Sequence, residues 1–304
     1  MRSKPENSST HTSTAILWLS ASACHGNAHS LLNYPYIESF LKEFEFVYHP
    51  ILPSRYTLVE VASLKAECDI LIIDGMLADD LHISDRPFGD LLEYYGEISK
   101  WILTVGTCAT FGGIFSRYEE REGKGLHFDS GTPTDTYRHL FDRSISIPGC
   151  PVHPETLVSV LRSLVLGYSL PLDKYRRPLY HYAYTVHNGC TRNEYFEYKI
   201  DEYRFGESEG CSFYEKGCRG TFTRGSCNRV LWGGVNSKTR AGQPCMGCTE
   251  PDFPDMNLWE TKKNMGIPAR MPLGIPRRAY LGFAGIAKTF RIERFYKRLF
   301  DEED

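Results

Sequence analysis

Ala15-Ile-Leu-Trp-Leu19 is an unbroken apolar run with no polar alternation, the pattern of a strand covered on both faces. Ile70-Leu-Ile-Ile73 and Trp101-Ile-Leu-Thr-Val105 repeat it, Phe46 to Leu52 is a looser version and Ser144-Ile-Ser-Ile147 a shorter one. Between these runs the spacing turns helical. Ser30 to Glu45, Leu58 to Ala66, Phe88 to Ser99 and Pro154 to Leu166 are the expected helices, the last placing Leu157, Val160, Leu161 and Leu164 on one face. Strands alternating with helices predict an α/β fold built on a doubly wound parallel sheet. In such sheets ligands gather beyond the carboxyl ends of the strands.

The pattern fades near the charged, Pro-bounded segment Asp173-Lys-Tyr-Arg-Arg-Pro178, read as a domain junction. This gives a sheet domain over residues 12–172 and an irregular, loop-rich domain over 173–304. Two domains also suit 304 residues, at roughly 150 per domain. From Leu273 to Phe300 the tail mixes Pro and Gly with basic and aromatic residues, which suits a solvated or partner-facing surface. With 35 basic against 38 acidic residues the net charge is only -3. Binding to nucleic acid or an anionic membrane through bulk charge is thereby disfavoured. The longest apolar runs fall far short of the roughly 20 residues of a spanning helix, so no transmembrane segment is expected. Met1 to Thr14 is polar, with no apolar signal core and no paired arginines, so the expected location is the cytoplasm unless a partner carries an export signal. Membrane association would then come through partners.

Ten cysteines change the picture, because their placement is uneven. Cys24, Cys108 and Cys150 each stand just after an expected strand and could meet at one sheet edge. Cys68 precedes its strand and is read as a packing residue at the opposite edge. Cys190, Cys211, Cys218, Cys227, Cys245 and Cys248 crowd into the irregular half, where thiols in a reducing compartment suggest metal or iron-sulfur ligation. His187 with Cys190, Cys211 and Cys218 offers four ligands, enough for a tetrahedral zinc or a cubane cluster. Cys227, Cys245 and Cys248 offer three thiols, awkward for structural zinc and natural for a three-iron cluster. Such ligands would fix loops that have little apolar core. A flavin site is disfavoured, because Ser20 to Asn27 lacks a phosphate-cradling loop.

Several ordered motifs carry a family likeness: Cys24-His-Gly-Asn27, Gly106-Thr-Cys-Ala-Thr-Phe-Gly-Gly113, Pro148-Gly-Cys-Pro-Val-His-Pro154, Phe196-Glu-Tyr-Lys199, Ser226-Cys-Asn-Arg229 and Arg240-Ala-Gly-Gln-Pro-Cys-Met-Gly-Cys-Thr-Glu-Pro251. From about Leu17 to Pro254 the chain resembles the small, electron-transferring subunit of [NiFe] hydrogenases, especially the cytoplasmic uptake type of cyanobacteria. The resemblance implies a flavodoxin-like sheet followed by an iron-sulfur domain. It also implies three clusters: a proximal [3Fe-4S] or [4Fe-4S] on Cys24, Cys108 and Cys150, a medial [3Fe-4S] on Cys227, Cys245 and Cys248, and a distal [4Fe-4S] on His187, Cys190, Cys211 and Cys218. The Ni-Fe centre would sit in an obligate large subunit, and an acceptor protein or quinone-linked carrier would take the electrons. A dimer of heterodimers is left open, as is a subunit of a hydrogen-sensing enzyme; a zinc-binding interaction module is the distant alternative.

Asn27 stands where most of the family has a second cysteine, and an amide oxygen is a poor iron ligand beside thiolate. Asp74, at the end of its strand, is the candidate for completing that cluster or handling protons, against the plain reading of a cap or loop hydrogen bond. Gly26 and Gly113 stand where oxygen-tolerant membrane enzymes of the family carry extra cysteines.

Overall fold

The computed structural model describes residues 13–117, 123–129, 132–198, 200–254, 279 and 286. Five parallel strands form the central sheet: β1 (Thr14–Ser20), β2 (Phe44–Tyr48), β3 (Ile70–Asp74), β4 (Trp101–Val105) and β5 (Ser144–Ile147). Their spatial order is β2-β1-β3-β4-β5, the flavodoxin-like doubly wound arrangement. The continuous apolar runs have the expected cause. Ile16, Trp18, Ile70 and Ile72 face one core, Leu17, Leu19, Leu71 and Ile73 the other, and all eight are fully buried. On the first face, α5 (Pro154–Val165) buries Leu157, Val160, Leu161 and Leu164, each contributing roughly 1.5–3 kcal/mol. Opposite lies α4 (Phe88–Ile98), with Leu91, Leu92 and Tyr95 inward.

Three expected elements differ, one of them the Leu58 to Ala66 helix, which ends at Ala62, just before Leu64 at φ +58°. The Ser30 to Glu45 helix is two, α1 (Gly26–Leu32) and α2 (Ile37–Glu43). Pro35 interrupts the ladder and disfavours helix at Tyr34. Strand β2 starts at Phe44 and ends at Tyr48 rather than running to Leu52. Pro50 and Pro53 lack donors, and His49 Nδ1 accepts the backbone N–H groups of Ile51 and Leu52 at 3.1 and 3.0 Å, which turns the chain. Helix α3 (Leu58–Ala62) opens on a Thr57/Glu60 capping box.

The chain divides into two compact units, the first running to Ala183 and including Cys248–Phe253, the second containing Tyr184–Gly247. Asp173 to Pro178 lies within the first. There Arg177, 2% exposed, pairs with Asp173 at 2.8 Å and Glu250 at 3.1 Å and donates to Thr249 O at 2.9 Å. The second unit is mostly turns with short helices at Asn193–Tyr198 and Phe213–Lys216. Its interior is largely polar: Asn228 donates to Val186 O at 2.7 Å and accepts from Ser237 and Thr239. Among the described residues no helix is long and apolar enough to cross a membrane. The Leu273 to Phe300 segment lies outside the described residues, apart from Ala279 and Ile286.

Candidate functional site

The strand register sets the first constellation. Ser20 pairs with Asp74, Asp74 with Val105 and Val105 with Ile147, so the loops leaving β1, β3, β4 and β5 start side by side. Gly106 N–H donates to Ile147 O at 2.9 Å, Thr107 N–H to Gly149 O at 3.1 Å, and Gly149 N–H to Thr107 Oγ1 at 3.0 Å, which ties the loop of Cys108 to that of Cys150. Burial pushes the Cys108 thiol up to about 11, with Cys150 and Cys24 adding in the same direction through space. The three thiols thus share one edge and feel one another. Cys68 sits before β3, its sulfur 3.1 Å from Ser99 Oγ, at the opposite end.

Asn27 and Asp74 meet in the same place. Asn27 Nδ2 donates to Asp74 Oδ1 at 2.7 Å and to Val105 O at 3.2 Å, while its Oδ1 accepts from Val152 N–H at 2.9 Å. Trp18 Nε1 donates to Asp74 Oδ2 at 3.2 Å. Burial raises the Asp74 carboxyl above its usual range, opposed by the donors Asn27 and Trp18. The space is tight: a Cβ on Gly106, at φ +92°, would lie 2.2 Å from Asn27 Nδ2.

Second-unit residues form the other constellation. His187, Cys190, Cys211 and Cys218 line one cavity together with Phe196 and Phe213. Burial pushes His187 below its ordinary value, with Glu197 pulling the other way. It also pushes Cys211 and Cys218 up to about 11. The His187 ring stands edge-on to Phe196 at 4.6 Å between centroids. Of the third set, Cys227 and Cys245 belong to the second unit and Cys248 to the first. Cys245 N–H donates to Cys218 Sγ at 3.2 Å. In the first unit, Thr107 Oγ1 donates to Cys248 O.

Donor chemistry tests whether these residues fit iron-sulfur clusters. Backbone N–H groups two residues on point at the sulfurs: Gly26 at Cys24 and Arg192 at Cys190, both at 3.4 Å, Phe213 at Cys211 and Gly220 at Cys218. The Ile114 N–H, six residues on, points at the Cys108 sulfur. Such donors stabilise negative charge on sulfur and tune cluster potential. Glycine opens the approach to two of them, since a Cβ would stand 2.5 Å from Cys108 Sγ at Gly113 and 3.2 Å from Cys24 Sγ at Gly26. A bound cation would deprotonate thiols that burial holds protonated. Among the described residues no three His, Cys, Asp or Glu side chains converge on one single-ion site.

Residues the sequence reading passed over are Arg177, Thr107 and the buried group Arg192, Glu202 and Lys216. Charged residues default to the surface, and the only signal was that Arg192 and Lys216 lie two residues from Cys190 and Cys218.

The first unit is a doubly wound sheet with thiols on its carboxyl edge, and the second holds thiols that line one cavity. The C-terminal family model of the NiFe/NiFeSe hydrogenase small subunit matches residues 182–260, and that for the NADH ubiquinone oxidoreductase 20 Kd subunit matches residues 24–164. The periplasmic [NiFe] hydrogenase small subunit 1 of Nitratidesulfovibrio vulgaris is 30% identical over 259 residues, 79% of this chain and 80% of the relative. The F420 non-reducing hydrogenase II small subunit of Methanosarcina mazei is 29% identical, over 84% of this chain and 77% of that one. In fold, the [NiFeSe] hydrogenase of Desulfovibrio vulgaris Hildenborough gives a TM-score of 0.67 at 26% identity, covering 83% of this chain and 100% of the other. The actinobacterial-type NiFe-hydrogenase of Ralstonia eutropha H16 gives 0.71 at 20% identity, covering 96% and 92%. The chain belongs to the [NiFe] hydrogenase small-subunit family.

Proposed function

We propose that this chain passes electrons from hydrogen oxidation at a large-subunit Ni-Fe centre to an acceptor through three iron-sulfur clusters. Cys24, Cys108 and Cys150 hold the inner one, a three-iron cluster or a four-iron cluster with three cysteine ligands. Cys227, Cys245 and Cys248 hold a middle [3Fe-4S], and His187, Cys190, Cys211 and Cys218 an outer [4Fe-4S]. The observation that carries the reading is the single cavity lined by the four outer residues, with backbone N–H groups aimed at its three sulfurs. When bound, the clusters supply one-electron redox sites. The protein's part is to fix their ligands, exclude water and set their charge. Burial favours a neutral His187, and an imidazole in place of a thiolate makes the outer site less negative, suited to the exit end. There a protein or quinone-linked acceptor would dock.

Asn27 is not assigned as a ligand, because its amide already serves Asp74, Val105 and Val152. The uptake type and a cytoplasmic location are the finer parts of the proposal. They are checked by fractionation and by whether the purified complex turns over hydrogen with a soluble or quinone-linked acceptor. A complex that binds hydrogen and engages a kinase without such turnover would mark a sensor instead. The cluster reading is tested by co-purifying the chain with its large subunit and measuring iron, sulfide and paramagnetic signals. Three clusters are expected; a colourless, magnetically silent complex with stoichiometric zinc would reject them.

A further inference from the structure

Arg192, Glu202 and Lys216 form a charge cluster inside the second unit, their side chains only 5%, 0% and 7% exposed. Arg192 Nη1 lies 3.2 Å from Glu202 Oε2, and Lys216 Nζ 3.6 Å from Oε1. Glu202 also accepts from Ser212 Oγ and, at 3.2 Å, from Glu207 N–H. Lys216 donates to Glu202 O at 2.9 Å, and Arg192 to Gly210 O at 2.7 Å. Every charge is thereby locked in place. A buried ion pair is weak support for stability by itself, since well-packed apolar residues serve as well or better. Its consequence is a fixed field in a low-dielectric interior, where a unit charge acts far more strongly than in water.

That field falls on the outer constellation. Arg192 lines the cavity of His187, Cys190, Cys211 and Cys218, and its backbone N–H donates to Cys190 Sγ at 3.4 Å. Ser212, the donor to Glu202, adjoins Cys211. Two cations on one carboxylate leave a positive excess. Glu197 acts on His187 and Asp201 on Cys211 from outside the cluster with negative charge, so the informative comparison is the removal of one charge at a time.

We propose that Arg192, Glu202 and Lys216 set the reduction potential of the centre held by His187, Cys190, Cys211 and Cys218, the two cations raising it and Glu202 lowering it. This rests on the cluster reading above. The test is a potentiometric titration of the outer centre's signal in the complex purified with its large subunit. Lys216→Met is expected to make the centre harder to reduce and Glu202→Gln, equal in size, easier. Each should change the ratio of reduced to oxidised centre at a fixed potential about tenfold, or about 59 mV for one electron. Arg192→Lys keeps the charge and should leave the potential near that of the unaltered chain. A structural role moves both variants alike, so unchanged potentials, shifts of one sign, or loss of the signal in both variants while the unaltered complex keeps it would overturn the assignment. No outer signal in the unaltered complex would instead sink the cluster reading beneath it.

Discussion

Asn27 Nδ2 donates to Asp74 Oδ1 at 2.7 Å, which makes the residue three places after the first thiol a tie between loops. The same amide reaches Val105 O and Val152 N–H, so one side chain joins the segments bearing Cys24, Cys108 and Cys150. Asn27→Ala strips a donor from a buried carboxylate and an acceptor from Val152 N–H, a cost of roughly 1–3 kcal/mol for each group left unpaired. Asn27→Asp keeps the acceptor and sets a second carboxylate against Asp74, so the two acids compete for one proton. The expected order of loss is unaltered, then Ala, then Asp. It is read as the unfolding midpoint of the complex and the intensity of the inner-centre signal; an Asp variant equal to the unaltered chain would contradict it.

The five strands were legible because burial on both faces demands unbroken apolar runs, and the placement of Cys24, Cys108 and Cys150 after strands carried their shared edge. Of the four residues lining the outer cavity, the three cysteines stood out by crowding of sulfur and His187 by lying three residues before Cys190. Asn27's role was not, since its partners lie 47, 78 and 125 residues away in sequence. Arg177 and Glu202 were equally silent: a charged residue in a loop reads as solvated until the fold supplies the countercharges that bury it. Even Pro35, visible in the sequence, was outweighed by the apolar spacing on either side of it.

Arg177 anchors the Cys248–Phe253 segment to the first unit through Thr249 O and Glu250. Its guanidinium also lies over the Tyr175 and Tyr182 rings, 5.0 and 5.5 Å from their centroids. Arg177→Ala leaves Asp173 and Glu250 without their cation and should cost about 3–5 kcal/mol. Because Cys248 enters this segment, the signal of the proposed middle cluster should fall before that of the inner one. Arg177→Lys keeps charge without the fork and should retain part of it. Equal loss of both signals would mean that the anchor supports the whole unit.

Acid should act on His49 early. Its Nδ1 accepts two backbone N–H groups, which requires the neutral ring, and burial pushes its pKa down to about 4, with His25 adding to the effect. Below about 6.5 the unfolded chain takes up a proton that the folded one refuses, so this contribution is complete above pH 6.5 and is lost as pH falls toward 4. The total is about 3 kcal/mol at about 1.36 kcal/mol per pH unit. His49→Phe keeps packing against Trp18 and Phe46 and gives up the two turn hydrogen bonds. It should be less stable than the unaltered chain at pH 7, with the gap closing by pH 5 in urea unfolding of the complex. A constant gap would exclude His49 as the titrating group.

Substituting His187 should separate conduction from chemistry. It is the only nitrogen ligand in the proposed relay, and its imidazole rests edge-on against Phe196, which in turn meets Phe213 at 5.0 Å between centroids. His187→Ala removes a ligand and opens space beside Phe196, so the outer site loses its exit geometry while Cys24, Cys108 and Cys150 are untouched. Hydrogen oxidation with an acceptor should fall at least tenfold. Hydrogen/deuterium exchange, which needs no electron to leave the complex, should stay near that of the unaltered enzyme. His187→Cys offers a thiolate in its place; it should restore a cluster of more negative charge and lower potential. Were exchange to fall in step with acceptor reduction, His187 would be supporting the large-subunit site rather than the path away from it.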